Sequence, residues 1–141
     1  MTTTEYLLDK LMEMEGCRLE AYEDAAGVPT IGYGHTKGVR MGDKISAYWA
    51  KELLREDIEE VEWQVKELKV ARTEGQLDAL VSFAFNVGIG RLMRSALLKA
   101  IRNGGSKAAI TREFKRWVFA GGKKMPGLVK RREWEAKRFF E

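Results

Sequence analysis

The sequence has little cysteine, histidine and proline. The scarcity of cysteine and histidine limits the disulfides and metal sites that the chain can form. Cys17 is the only cysteine, so an internal disulfide and a cysteine-based zinc site are both excluded. We expect Cys17 to be a small buried apolar side chain. The single histidine, His35, has no second histidine and no cysteine near it. This favours a structural role and predicts neither a metal site nor a cofactor.

Long apolar runs are also missing. No stretch approaches the ~20 apolar residues that cross a bilayer, and residues 1–10 lack the basic and then apolar pattern of a signal peptide. We therefore expect no stable membrane insertion and no signal peptide. The protein should stay in the compartment where it is made until something releases it.

Charge is unevenly distributed along the chain. The net charge is +4, but residues 1–90 carry 10 basic and 17 acidic residues, whereas residues 91–141 carry 15 and 4. A basic second half suggests a polyanionic partner. Nucleic acid, an anionic membrane and the bacterial wall all satisfy that description, so charge leaves the partner open.

Hydrophobic periodicity predicts a mostly helical α+β chain with one small sheet. Apolar residues recur at helical spacing over residues 3–14 and again, as a narrow stripe, over residues 46–69, where Ser46 is a good N-cap. Between Tyr22 and Gly34 the helical period gives way to the turn residues and β-formers of an antiparallel hairpin.

The remainder of the chain predicts a bundle of helices. Thr73 and Gln76 have capping-box spacing at the start of an almost wholly apolar helix. The later predictions are a helix over 92–102, a helix capped by Ser106, a loop over 120–127 and a final helix from about Leu128.

These elements predict a single domain over residues 1–141 with two lobes. The N-terminal lobe would span about 13–45 and contain the hairpin, and residues 46–69 would form a connecting helix. The C-terminal helical lobe would span about 73–141 together with helix 3–14.

Two carboxylates and a hydroxyl surround the predicted hairpin. Glu15 ends the first helix, Asp24 lies at the turn and Thr30 lies on the returning strand. Hydrolysis of a glycosidic bond needs a protonated acid at the leaving oxygen and a second carboxylate that attacks the sugar or activates water. Spacing alone does not single out this pair among the 21 acidic residues of the chain.

The residues around this trio resemble a known family. The runs EGCRLEAYED (residues 15–24) and GVPTIGYGHT (residues 27–36) are similar to the active-site segment of phage-type lysozymes, the T4 and P22 family of glycoside hydrolases. The run QLDALVSFAFNVG (residues 76–88) and residues of 116–133 resemble the P22 branch. The resemblance extends over essentially the whole chain and implies the two-lobed lysozyme fold.

The resemblance also implies an activity. It implies a muramidase, or endolysin, that hydrolyses the β-1,4 linkage between N-acetylmuramic acid and N-acetylglucosamine in peptidoglycan, with inversion. Glu15 would be the general acid, Asp24 the catalytic carboxylate and Thr30 a hydroxyl that helps to hold the attacking water. An inverting site leaves room for that water, so the two carboxyl groups should lie ~6.5–9.5 Å apart. Glu15 should be partly buried and protonated, and Asp24 wetter and ionised.

Further expectations follow from the same resemblance. Phe85 and Ser95 align with positions of the substrate cleft, and His35 should pair with Asp57 as structural support. The partner would be bacterial peptidoglycan and the protein a monomer. It would remain in the host cytoplasm until a membrane lesion releases it to the cell wall.

Two other functions compete with hydrolysis. A non-catalytic peptidoglycan-binding module would keep the fold without the chemistry, which leaves the presence of Glu15, Asp24 and Thr30 unexplained. A basic nucleic-acid-binding helical domain would use the cationic second half. It would leave the whole hairpin segment unexplained, so we expect no nucleic-acid partner.

Overall fold

The computed structural model describes all residues from 1 to 141 and confirms a mostly helical α+β fold. Its seven helices and four strands are α1 (Glu5–Glu15), β1 (Arg18–Glu23), β2 (Pro29–Gly32), α2 (Ala47–Glu67), α3 (Glu74–Val87), α4 (Ile89–Met93), α5 (Ala96–Arg102), α6 (Lys107–Lys115), β3 (Phe119–Ala120), β4 (Lys123–Lys124) and α7 (Pro126–Phe139).

By its internal contacts the chain forms two compact units. One comprises Glu5–Glu60, and the other comprises Met1–Thr4 with Val61–Glu141. The boundary falls within α2, the helix predicted to connect two lobes. Helix α1 groups with the hairpin, whereas helix 3–14 was expected in the C-terminal lobe. The single-domain organisation stays a prediction.

In the first unit, β1 and β2 form the expected antiparallel hairpin, with Tyr22 opposite Thr30. The other edge of β1 is also paired. The amide of Ala21 donates to the carbonyl of Asp43 at 2.9 Å, and the amide of Ile45 donates to the carbonyl of Leu19 at 2.9 Å. The hairpin is therefore held on both edges of β1, and the pairing with residues 43–45 was not expected from the sequence.

The helix boundaries in this unit follow local chemistry. Helix α1 begins at Glu5, two residues later than predicted, and Gly16 follows its last residue with φ 69°, the left-handed conformation in which glycine commonly ends a helix. Helix α2 begins after Ser46, whose hydroxyl accepts from the amide of Trp49 at 3.2 Å. That bond confirms the predicted N-cap.

The second unit is built around α3, whose side chains are buried on most sides. The hydroxyl of Thr73 accepts from the amide of Gln76 at 3.1 Å, as the capping-box spacing predicted. Helix α3 packs mainly against α7. Aromatic rings fill the core beside α3, with the ring of Phe83 edge-on to those of Phe114 and Trp117.

A buried ionic network crosses this core. Glu135 and Arg132 are both fully buried, and their carboxylate and guanidinium groups lie 2.5 Å apart. Glu135 also accepts from the hydroxyl of Ser82 at 2.5 Å and from Arg131 at 3.3 Å. Because every charge in the network has a partner, the desolvation of these groups is compensated.

Two segments of this unit differ from the sequence prediction. The helix predicted over 92–102 is divided into α4 and α5, because Ser95 adopts an extended conformation and caps a new helix. The loop predicted over 120–127 instead includes most of the β3–β4 hairpin, which begins at Phe119 and is turned by Gly121 and Gly122 with φ 58° and 79°. Two successive positive φ values are what a two-residue hairpin turn needs. Helix α7 begins at Pro126, a residue favoured in the first turn.

Candidate active site

The three predicted catalytic residues all lie in the first unit, on consecutive elements. Glu15 is the last residue of α1, Asp24 is the residue after β1, and Thr30 lies on β2. The left-handed Gly16 separates the carboxylate of Glu15 from the hairpin that carries the other two residues. Glu15 is half-buried, as the sequence predicted.

Asp24 is exposed, and its position is set by the turn. Its Oδ1 accepts from the amides of Ala26 and Val28 at 2.8 and 2.9 Å. Its own amide donates to the carbonyl of Val28 at 3.0 Å, and its carbonyl accepts from the amide of Gly27 at 2.9 Å. This is the way in which aspartate side chains stabilise turns. The second carboxylate oxygen, Oδ2, makes no hydrogen bond to the protein, so it is available to water.

Thr30 is buried, with 3% of its surface exposed. Its hydroxyl donates to the carbonyl of Val28 at 2.8 Å. The only hydroxyl proton is therefore used, and the oxygen keeps lone pairs that can accept a hydrogen bond. Any water at this position would therefore have to donate to the Thr30 oxygen.

The expected pairing of His35 with Asp57 is confirmed. Its Nδ1 lies 2.9 and 3.0 Å from the two carboxylate oxygens of Asp57 on α2, and its Nε2 lies 2.9 Å from the carbonyl of Lys37. Burial raises the pKa of Asp57, and the hydrogen bond from His35 opposes that shift. One ring nitrogen contacts Asp57 on α2 and the other contacts the backbone of Lys37. His35 therefore links the segment after β2 to α2.

Cys17 does not occupy the buried position predicted for it. The thiol is exposed, one residue beyond the glycine that ends α1. It contacts Tyr33, whose pKa is raised by burial and, to a lesser extent, by the interaction with Cys17. The side chain is exposed because a segment that turns from a helix into an edge of a small hairpin has little core to cover it.

Phe85 and Ser95 lie in the second unit. Phe85 is half-buried on α3. The hydroxyl of Ser95 accepts from the amide of Leu98 at 3.0 Å and donates to the carbonyl of Leu92 at 2.7 Å, so it caps α5. Their contacts with substrate stay predictions. No group of three or more His, Cys, Asp or Glu residues is placed to hold a metal ion, and none of the helices combines the length and apolarity needed to span a bilayer.

Comparison with sequence relatives identifies the family of this chain. The model of the phage lysozyme family matches residues 12–135. The endolysin of Acyrthosiphon pisum secondary endosymbiont phage 1 is 42% identical over 132 residues, which are 90% of this chain and 89% of the relative. The endolysin of Bacillus phage B103 is 44% identical over 140 residues, but the chain spans only 52% of its length.

Solved structures agree as well. The muramidase domain of SpmX from Asticaccaulis excentricus superposes with a TM-score of 0.91 at 30% identity, covering 99% of this chain and 98% of that one. A variant of P22 lysozyme superposes with a TM-score of 0.83 at 34% identity, covering 100% and 99%. Both the helical fold and the small hairpin sheet are thus those of a lysozyme.

The chain therefore belongs to the phage lysozyme family, and its function is that of a peptidoglycan-hydrolysing endolysin. None of the relatives supports the binding-module or nucleic-acid alternatives that the sequence left open. The partner is peptidoglycan, and the place of action is the bacterial cell wall.

Proposed function

We propose that the chain hydrolyses the β-1,4 bond between N-acetylmuramic acid and N-acetylglucosamine with inversion, using Glu15, Asp24 and Thr30. The observation that carries this proposal is the arrangement at Val28. Its amide positions the Asp24 carboxylate and its carbonyl positions the Thr30 hydroxyl, so two groups suited to holding one water are fixed by the same residue.

In the proposed reaction, Glu15 donates its proton to the glycosidic oxygen as the bond from that oxygen to the anomeric carbon breaks. A water attacks the anomeric carbon from the opposite face, and Asp24 accepts the proton that this water loses. The water donates one hydrogen bond to the hydroxyl oxygen of Thr30. Attack from the opposite face inverts the anomeric configuration, and the proposal requires the Glu15 and Asp24 carboxyl groups ~6.5–9.5 Å apart.

The test compares Glu15→Gln and Asp24→Asn with Glu23→Gln, which neutralises an exposed acid on the same hairpin. We expect the first two to lower kcat on purified peptidoglycan by about 10²–10⁴-fold and Glu23→Gln to leave it near the wild-type value. Mass analysis should find fragments ending in reducing N-acetylmuramic acid. Anhydro ends, or an active Glu15→Gln enzyme, would contradict the proposal.

The anomeric form of the first product identifies the stereochemistry. Proton NMR during the first minutes of digestion of a soluble glycan should show the α-anomer before mutarotation. An initial β-anomer would indicate that the anomeric configuration is retained.

We also propose that the chain acts as a monomer. Light scattering after size-exclusion chromatography tests this. That the protein remains in the host cytoplasm until a membrane lesion opens is a prediction.

A further inference from the structure

Residues 36–51, which follow β2 and include the first turn of α2, differ in charge from the rest of their unit. They contain four basic residues and one acidic residue, a net charge of +3. The rest of the unit Glu5–Glu60 contains three basic and 12 acidic residues, a net charge of −9. The positive charge of this unit is therefore concentrated in residues 36–51, which we call the basic segment.

Two cations of the basic segment have no partner in the protein. Lys37 and Arg40 are exposed, and their side chains make neither an ion pair nor a hydrogen bond within it. Lys44 is also exposed, but it lies 4.0 Å from Glu20, so its charge is partly compensated. The one acidic residue of the segment, Asp43, accepts from the amide of Arg40 at 2.9 Å. Lys37 and Arg40 can therefore approach an anion without breaking an existing contact.

Large apolar side chains of the same segment are exposed. The exposed fraction is 53% for Met41, 65% for Tyr48 and 56% for Trp49. The rings of Tyr48 and Trp49 pack edge-on, with centroids 5.4 Å apart. Aromatic side chains with an apolar body and a polar tip are enriched where lipid meets water. The basic segment thus combines unpaired cations with the ring types that favour a membrane interface.

The loop part of the basic segment and the start of α2 border one cavity. This cavity has a volume of about 240 Å³, and its lining includes Lys37 and Lys44 from the loop and Leu53 from α2. Trp49 precedes Leu53 by one helical turn, so the two side chains lie on the same side of α2. Backbone pairing of residues 43–45 with β1 holds the loop in place. The cations and the rings are therefore presented on neighbouring parts of one formed surface.

We propose that the basic segment docks the protein on an anionic phospholipid bilayer, with Lys37 and Arg40 at the phosphate groups and the rings of Tyr48 and Trp49 at the level of the headgroups. An anionic bilayer accounts for both features, since it attracts cations and accommodates amphipathic rings. A sugar polymer could stack on the rings, but N-acetylated sugars offer no charge to the two cations. The docking is peripheral and reversible, because only a loop and one helical turn reach the headgroup region.

The basic second half of the chain is the competing surface for an anionic bilayer. Residues 91–141 carry 15 basic and 4 acidic residues, so an attraction that depended on net charge alone would act there. The rings distinguish the two surfaces. A second exposed tryptophan of α2, Trp63, is 66% exposed but has glutamates one turn before and after it, Glu59 and Glu67, and these repel an anionic surface. The chain therefore offers a matched control for the cations and another for the rings.

The first experiment measures co-sedimentation of the full chain with vesicles made of equal parts of phosphatidylglycerol and phosphatidylcholine. Lys37→Gln/Arg40→Gln is compared with Lys99→Gln/Arg102→Gln, which removes two charges from exposed positions of α5. We expect the first pair to bind about tenfold more weakly or worse and the second to bind like the wild type. Added salt should weaken wild-type binding, and vesicles of phosphatidylcholine alone should not bind. Equal losses in both pairs would overturn the proposal, since binding would then follow net charge.

The second experiment compares Trp49→Ala with Trp63→Ala on the same vesicles. Trp49→Ala should bind about fivefold more weakly, and Trp63→Ala should bind like the wild type. Both rings are exposed, so both variants should keep the circular dichroism spectrum of the wild type and its activity on soluble glycan strands. Unchanged vesicle binding by Trp49→Ala would overturn the proposal. A loss of glycan binding in Trp49→Ala without a loss of vesicle binding would also overturn it, and would identify a polysaccharide surface.

Discussion

Asp24 and Val28 are joined by two hydrogen bonds, one through the backbone and one through the carboxylate. The amide of Asp24 donates to the carbonyl of Val28 at 3.0 Å, and the amide of Val28 donates to Oδ1 of Asp24 at 2.9 Å. The same Val28 carbonyl accepts from the hydroxyl of Thr30. The backbone of one residue thus positions both groups that we assign to the attacking water, and the exposed side chain of Val28 is not needed for this.

Thr30→Val tests the part played by the hydroxyl. Valine keeps the shape of threonine in a buried position but has no oxygen that accepts a hydrogen bond from water. We expect kcat on peptidoglycan to fall by about 10²-fold or more. The free energy of unfolding should fall by about 1 kcal/mol, the usual value of one hydrogen bond.

Thr30→Ser is the matched control, because it restores the oxygen without the methyl group. Serine should recover most of the lost kcat even if the protein is slightly less stable. The assignment of Thr30 fails if the valine variant is active and the serine variant is not, since packing would then be the property that matters.

Glu135→Gln tests the buried ionic network of the second unit. The carboxylate faces Arg131 and Arg132, both of which are buried. Its neutralisation leaves buried cations without a counter-charge, and we expect a loss of about 3–5 kcal/mol in the free energy of unfolding. Glu133→Gln, an exposed acid on the same helix, should change stability by less than about 0.5 kcal/mol. Urea denaturation followed by circular dichroism measures both, and similar losses would show that the network contributes little.

Gly75 and Gly127 are each the second residue of a helix, α3 and α7 respectively, but their surroundings differ. A Cβ at Gly75 would lie 2.4 Å from the carbonyl oxygen of Arg138 and 2.8 Å from that of Glu141, whereas a Cβ at Gly127 meets nothing within 4 Å. We expect Gly75→Ala to destabilise the protein by about 1–3 kcal/mol. Gly127→Ala should stabilise it by up to about 1 kcal/mol.

Melting temperatures of these two alanine variants provide the measurement. The opposite signs are the informative part, because helix propensity alone predicts the same gain at both positions. A gain in both variants would mean that the backbone at Arg138 and Glu141 moves away from residue 75 without a loss of stability.

The pKa of Asp57 predicts the pH dependence of stability. Burial raises this pKa in the folded protein above its ordinary value of 3.8, so the folded state binds the proton more tightly than the unfolded state. The resulting stabilisation is complete below pH 3.8 and is lost as the pH rises through the folded pKa. Asp57→Asn keeps an oxygen for His35 and removes this titration.

The measurement is the free energy of unfolding of the wild type minus that of Asp57→Asn, followed from about pH 3 to about pH 6. This difference should decrease as the pH rises. Glu59→Gln, an exposed neighbour on α2, should show no such decrease. A difference that increases over this range would mean that the hydrogen bond from His35 outweighs the cost of burying Asp57.

Much of the fold could be predicted from the sequence because its signals are local. The caps at Ser46, Thr73 and Ser106 each appear in the structure as a hydroxyl that accepts from an amide three residues later. The placement of Asp24 at a turn and Thr30 on the returning strand followed from turn and strand residues a few positions apart. Three features were not predicted: the exposure of Cys17, the division of α4 from α5 and the hairpin at Gly121. The apolar character of a residue does not say whether other segments cover it, and a pair of glycines does not say whether the residues on either side of it pair as strands.

The sequence by itself determined the element types, the hairpin that carries Asp24 and Thr30, and the asymmetry of charge, because these depend on residues near one another in the chain. Only the tertiary structure decided that Arg91 and Arg94 share a cavity with Trp117 while Arg131 and Arg132 are buried against Glu135. All four are arginines of the same basic half. What separates them is the distance of each from a buried carboxylate or from open solvent, and packing between distant segments sets that distance.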